Sequence, residues 1–338
     1  MWKIIFEPGE RIFKKIIIPQ EPLKEGLIRF KPKYYSVCGS DKSIVSGHRN
    51  IEHPVVIGHE LSGNVINGKG YDMDGEKLKE GDSITILPNY YCGECINCLH
   101  ENFNTCNNKI IIGVKEDGGL AEYLDLKPKF ALKLPKTLPL ELGALIEPIA
   151  VGVHALKKFS TKENPLVIIG GGGTGALSYE TALNLGFKDV SIIEVNEKKI
   201  EMLRSIGIDV YKSIEEFNGS KTYPLNILDT VGEDSLIEKY VKIFDSVASG
   251  SEIIITGLGS REFKFTSDLL IRKEVKIQGS IIYTPKDFII TRKLMLENQE
   301  KYLKFITNII DLNSIKDIND LKNIILNNDN IKTLIKLY

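Results

Sequence analysis

Cys92-Gly93-Glu94-Cys95-Ile96-Asn97-Cys98, followed by Cys106, sets four thiols in the pattern C-x2-C-x2-C-x7-C. Four thiolates so close in sequence suit a closed tetrahedral zinc site, which contributes folding energy and leaves no position open for a substrate. A ferredoxin-type iron–sulfur cluster has three residues before its final Cys-Pro pair. Here seven intervene and Asn107 follows, so zinc is the expected metal. His100 lies inside this stretch, is redundant beside four thiolates and reads as a surface residue. The fifth cysteine, Cys38, stands apart in Cys38-Gly39-Ser40-Asp41. His59 comes twenty-one residues later in Gly58-His59-Glu60, and Glu147 much later in Ile146-Glu147-Pro148. One thiolate, one imidazole and one or two carboxylates make a donor set for a catalytic zinc with an open position. Taken singly each has a plainer reading: Cys38 a small buried apolar group, His59 a satisfied core histidine, Glu147 a surface acid.

A second chemistry is written in Gly170-Gly171-Gly172-Gly173-Thr174-Gly175, which satisfies G-x-G-x-x-G at Gly170, Gly172 and Gly175. It follows the apolar run Leu166-Val167-Ile168-Ile169 and opens a helix-like stretch from Ala176. The first glycine makes the tight turn, the second lets backbone approach a pyrophosphate, and the third lets helix pack on strand. Gly173 and Thr174 lie where a helix N-terminus presents free N–H groups to phosphates. A glycine-rich hinge has a similar look. Glu194, nineteen residues beyond Gly175 at the end of the next strand, adds the acid that grips adenosine ribose hydroxyls and repels a 2′-phosphate. The alternative is that Glu194 caps a strand end. No Gly-Lys-Ser/Thr follows, which excludes an ATP-type phosphate loop. The pair reads as an NAD(H) site rather than an NADP one.

These residues need two kinds of framework. The first 150 residues hold short β-rich segments, among them Gly26–Phe30, Val55–Ile57 and Ser83–Leu87, separated by turn-forming residues. From Pro165, apolar runs at Leu166–Ile169, Ser191–Val195, Ile227–Thr230 and Ile253–Thr256 alternate with helical stretches, predicting βαβ units around a parallel sheet. A last strand is expected within Lys276–Tyr283, and a helical, Ile-, Lys- and Asn-rich segment beyond Pro285. The fold class expected is α/β. A doubly wound Rossmann domain over 151–284 is inserted into a mostly β domain made of 1–150 and 285–338. The length of 338 residues accommodates two domains. The composition, 42% hydrophobic and 26% charged, is that of a globular protein, and a net charge of −1 gives no reason to expect nucleic acid or an anionic membrane as partner. No apolar stretch approaches the eighteen residues of a membrane helix, and Met1–Pro8 is too short and broken for a secretory signal. A reducing cytoplasm is therefore expected.

In this order, the motifs resemble those of the zinc-containing medium-chain dehydrogenase/reductase superfamily. The matching pieces are Cys38-Gly39-Ser40-Asp41, Gly58-His59-Glu60, Glu80-Gly81-Asp82, the four-cysteine lobe, Asp117–Tyr123, Ile146–Ala155 and the glycine loop with Glu194. They cover residues from about 10 to 285. The stretch around Glu147-Pro148 and His154-Ala155 is similar to the polyol branch, which includes sorbitol and threonine dehydrogenases. The resemblance implies a GroES-like catalytic domain carrying the zinc lobe, one catalytic and one structural zinc, and hydride transfer between a secondary alcohol and NAD(H). It implies Cys38 and His59 as catalytic-zinc ligands, with Glu60 and Glu147 binding directly, through water or by exchange. Ser40 would hydrogen-bond the substrate hydroxyl and begin a proton relay, Asp41 would stand behind the ligands, and His154 would pack. A histidine five residues after the zinc cysteine is usual in sorbitol-type relatives; here Ser43 stands there, and His48 or His53, nearby in sequence, is a candidate to take its place. The resemblance also implies a homodimer or homotetramer acting on a small alcohol or sugar.

Three rivals keep parts of this reading. An NADPH-dependent keto-sugar-phosphate reductase shares the fold, and Ser36-Val37-Cys38 with Gly47-His48-Arg49 has something of its look. A zinc-free quinone or enone reductase is opposed by Cys38, His59 and Glu60 together. A non-catalytic zinc and nucleotide-binding protein would keep the sites without turnover.

Overall fold

The computed structural model describes residues 1–213, 216–217, 224–231, 248–259 and 267–338. The chain divides into two units: Met1–Pro148 with Tyr283–Tyr338, and Ile149–Ile282.

The first unit is organised around the strand Ile28–Ser36. It is buried along both faces, with Ile28, Phe30, Tyr34 and Tyr35 in the core and only Lys31 and Lys33 partly exposed. On one side it pairs antiparallel with Glu60–Gly68, which continues to Ser83–Ile86 and then Ala131–Lys133. On the other it pairs antiparallel with Lys332–Lys336, beyond which Ile306–Asp311 runs parallel. Leu124–Leu126 also pairs with it, completing seven strands among the described residues. A proline inside a central strand removes a ladder donor. Pro32 is accommodated at a register shift opposite Gly63, where an added Cβ would stand 2.0 Å from the Lys31 carbonyl.

Two sequence expectations for this unit need correction. Val55–Ile57 is not a strand of a sheet; it makes one antiparallel bridge, Val55 to Phe6, before the chain turns at Gly58 with φ +102°. Nor is the tail beyond Pro285 wholly helical. After helices Pro285–Glu297 and Gln299–Leu303 come the strands Ile306–Asp311 and Lys332–Lys336, joined across helix Asp320–Leu326. Short Ile-rich runs do not separate helix from strand by periodicity, and the partner that makes these strands, Ile28–Ser36, is hundreds of residues away.

The second unit holds a parallel sheet. Among the described residues its spatial order is Val210–Tyr211, Val190–Ile193, Leu166–Ile169, Asn226–Asp229, Glu252–Ile255, Lys276–Gly279. Numbered along the chain, that is 3-2-1-4-5-6, the doubly wound dinucleotide-binding arrangement. Leu166–Ile169 and Val190–Ile193 are buried at every position, as strands covered on both faces must be. Helix Gly173–Asn184 links the first two strands and Glu197–Ser205 the second and third. The crossover over 232–247 lies outside the described residues. The last strand ends at Gly279, earlier than the expected Tyr283. No described helix is long and apolar enough to cross a membrane.

Candidate active site and zinc lobe

Three strand ends bring the donors of the first unit together. Glu60 opens its strand opposite Ser36, which closes the neighbouring one, and Leu334 pairs with Ser36 from the other side. Cys38 follows two residues after Ser36, and Lys332 opens the third strand. One ligand atom each from Cys38, His59 and Glu60 falls within 4.8 Å of the others. Helix Gly39–Ser46 starts at Cys38, whose backbone N–H donates to Asp41 Oδ2 at 3.0 Å. That bond carries Asp41 to full burial, where Oδ2 also accepts the Tyr35 hydroxyl at 2.6 Å.

Asp41 Oδ1 lies 3.4 Å from His59 Nδ1. A carboxylate behind one imidazole nitrogen aims the other outward, the usual support of a metal-ligating histidine. Burial works against a charged His59, yet Asp41 and Cys38 outweigh it and hold its pKa well above the usual value. Burial likewise opposes the Asp41 carboxylate, but His59, Tyr35 and the Cys38 N–H keep its pKa low. The pocket therefore favours a positive charge at His59, which a divalent cation would supply in place of a proton. Ser40 Oγ stands 3.3 Å from His59 Nε2, on the outward face. His48 pairs with Ser46 Oγ at 2.8 Å on the surface; among the described residues no hydrogen bond runs from Ser40 to it or to His53.

The carboxylates differ in their partners. Glu60 Oε2 accepts from Lys332 Nζ at 2.5 Å, both side chains buried, and Lys332 also donates to the Val37 carbonyl at 3.0 Å. Glu147, on the first turn of helix Ile146–Leu156, is buried but stands outside the three-residue ligand group. Its Oε1 accepts the Tyr283 hydroxyl at 2.8 Å. Burial pushes Glu147 up to about 7; Glu60 adds to this, while His59, Tyr283 and Lys332 oppose it. Lys332 and Tyr283 carry no local sequence signal: each meets its partner only through strand order or chain return. Removing one partner of a buried ion pair costs about 3–5 kcal/mol, because the other charge is stranded. Lys332→Met is accordingly expected to lower the melting temperature by about 10 °C, read by calorimetry. An unchanged transition would mean that Glu60 finds water instead.

The four lobe cysteines converge as well. Sulfur–sulfur distances are 3.6 Å for Cys92–Cys106, 3.5 Å for Cys95–Cys98, and 3.9 Å for both Cys92–Cys98 and Cys95–Cys106. Zinc–sulfur bonds of about 2.3 Å in a tetrahedron put sulfurs about 3.8 Å apart, so this cage fits zinc. Backbone N–H groups of Glu94 and Cys95 lower Cys92 to about 6, whereas burial raises Cys98 to about 12. Four thiolates together therefore require a cation. His100 is exposed.

In the second unit Gly170 adopts φ +97°, a conformation open to glycine, and a Cβ there would stand 2.4 Å from Val231. A Cβ on Gly175 would stand 1.8 Å from the Gly170 carbonyl, so the helix packs on the turn only without one. Gly172 caps the helix and faces open space, with Lys199 Nζ 4.0 Å from its would-be Cβ as the nearest atom. Gly173 and Thr174 form the first helical turn. Glu194 is buried; Oε2 accepts from Gly171 N at 2.8 Å, and Oε1 from Val195 N at 2.7 Å and Asn196 N at 2.9 Å. A carboxylate has about four acceptor positions, so Glu194 both braces the loop and keeps an acceptor for a ligand hydroxyl. Lys199 has no sequence signal of its own, being one of two adjacent lysines on a polar helix.

The Alcohol dehydrogenase GroES-like domain family matches residues 24–136. Galactitol 1-phosphate 5-dehydrogenase of Escherichia coli K12 is 32% identical over 270 residues, 75% of each chain. The chain belongs to the zinc-containing medium-chain dehydrogenase/reductase superfamily. Other members of this superfamily align over comparable lengths: D-xylulose reductase of Scheffersomyces stipitis is 30% identical over 76% of this chain and 75% of its own. A crystal structure of galactitol-1-phosphate dehydrogenase from Escherichia coli superposes with a TM-score of 0.84 at 26% identity, covering both chains fully. The protein is thus an oxidoreductase of the zinc-type polyol dehydrogenase branch, built to work with zinc and a nicotinamide cofactor.

Proposed function

We propose that this chain transfers a hydride between a secondary alcohol of a polyol, polyol phosphate or sugar and NAD(H), with one catalytic and one structural zinc. The observation that carries the reading is the convergence of Cys38, His59 and Glu60, with Asp41 behind the histidine and Lys332 behind the carboxylate. Cys38, His59 and Glu60 would hold the catalytic zinc, and Glu147 would be the exchangeable or water-bridged fourth group. Cys92, Cys95, Cys98 and Cys106 would hold the structural one. When bound, the catalytic ion supplies Lewis acidity that acidifies an alcohol, as it does water. Ser40 Oγ would accept the hydrogen bond of the substrate hydroxyl and take its proton outward. Gly170, Gly172 and Gly175 would let the pyrophosphate approach, with the N–H groups of Gly173 and Thr174 and the Lys199 ammonium beside it. Glu194 would accept an adenosine ribose hydroxyl, and its charge disfavours a 2′-phosphate.

Lys276–Gly279 is one edge of the parallel sheet among the described residues, which supports a homodimer or homotetramer joined by edge strands. Five free thiols suit a reducing cytoplasm. Because a relative at 32% identity is named for galactitol 1-phosphate, hexitol phosphates join free polyols, sugars and threonine as substrates to try. Reduction of NAD on one of them, at least tenfold faster than of NADP and abolished by a chelator, is the expected result. Oxidation of NADPH by a keto-sugar phosphate alone would favour the reductase instead.

A further inference from the structure

Glu147 and Tyr283 lie next to the two points where the chain leaves the first unit, after Pro148, and returns to it, at Tyr283. The Tyr283 side chain is fully buried and held on several sides. Its ring stacks on Phe288 with centroids 5.4 Å apart, and Asn89 shares a hydrogen bond with it. The residue before it, Ile282, has φ +54°, costly for a β-branched side chain. The residue after it, Thr284, closes a capping box with Asp287 at the start of helix Pro285–Glu297. Strained backbone of this kind persists where the surroundings over-determine it. The phenol is therefore a fixed donor, and its hydroxyl reaches Glu147 Oε1.

A catalytic zinc keeps a position open by having three protein ligands rather than four. Here a fourth candidate, Glu147, is close enough for its charge to act on His59 and Glu60, yet it stays outside the ligand group. Glu60 is tied down by a cation, Glu147 by a neutral hydroxyl. We propose that Tyr283 is a positioning residue: by occupying Glu147 Oε1 it restrains the second carboxylate from closing the metal, and so preserves the coordination position that the substrate takes. The inference rests on the proposed metal site and adds a residue to it.

The test replaces both zinc ions by cobalt and follows the visible spectrum as imidazole, a small exogenous ligand, is added. In the parent enzyme imidazole should perturb the cobalt bands by entering the open position. In Tyr283→Phe, which keeps the ring and its stacking, imidazole should bind at least tenfold more weakly because Glu147 has moved in. The double variant Tyr283→Phe/Glu147→Ala should recover the response, a reversal that a merely structural role would not produce. Unchanged imidazole binding in Tyr283→Phe, or no recovery in the double variant, overturns the proposal. A cobalt spectrum indifferent to Cys38→Ser overturns the ligand reading itself, and the role of Tyr283 with it.

Discussion

Cys38→Ser is expected to lower kcat/KM by at least about a thousandfold and to reduce the zinc content from two ions to one. The thiolate is the one soft donor among the three proposed ligands, and His59 and Glu60 alone would leave a site too poor to retain zinc. Lewis-acid stabilisation of developing charge is worth several kcal/mol, and each 1.36 kcal/mol is a factor of ten in rate; three factors of ten follow. The fold should survive, because Cys38 is partly exposed at a helix start whose bracing bond comes from its own backbone N–H to Asp41, which serine keeps. Metal analysis and steady-state kinetics on the same preparation decide the matter. Full activity with a single zinc would remove Cys38 from the chemistry.

The second large effect is on stability. Cys106→Ser should abolish the lobe zinc while the catalytic one remains, and should lower the melting temperature by more than about 10 °C. A structural zinc contributes apparent binding free energies of about 10–16 kcal/mol at neutral pH, comparable with the whole stability of a domain. Little else holds this segment: it has one four-residue helix, one 3-10 turn and a two-residue strand pair, and Ile96 and Leu99 face solvent. With the cage open, the three remaining close sulfurs of Cys92, Cys95 and Cys98, without a shared cation, repel one another as they ionise. Calorimetry with metal analysis reads this directly. An unshifted transition in the zinc-depleted variant would mean that the lobe is held by its apolar contacts, such as Tyr91 on Phe103 and Phe130.

Local signals are legible in the amino-acid sequence alone. The cysteine spacing implies a closed cage because ligands within a few residues need little chain to converge. Leu166–Ile169, the glycine run and Glu194 imply a phosphate-binding turn because strand, turn and helix are contiguous. The strands and helices that carry these motifs follow from hydrophobic runs bounded by turn residues. What a sequence cannot announce is non-local. The tail strands Ile306–Asp311 and Lys332–Lys336 are made strands by pairing with Ile28–Ser36, directly or through each other, and no period within their own five or six residues signals that. Val55–Ile57 has the composition of a strand, yet beyond the single bridge to Phe6 it meets only isolated backbone bonds from Gly118 and Leu120 rather than a ladder.

The same division runs through the active site. Cys38, His59 and Glu60 are legible as a donor set, since thiolate, imidazole and carboxylate together are what a catalytic metal requires. That Asp41 braces His59, that Lys332 neutralises Glu60, and that the Tyr283 hydroxyl holds Glu147 are decided only by the tertiary structure. Lys332 lies 272 positions from Glu60 and Tyr283 lies 136 from Glu147. The chemical identity of a ligand is a property of its residue type, which sequence states outright. Its charge balance and freedom to move depend on neighbours brought within hydrogen-bond reach by sheet order and burial, and those are set by the packing of the whole unit.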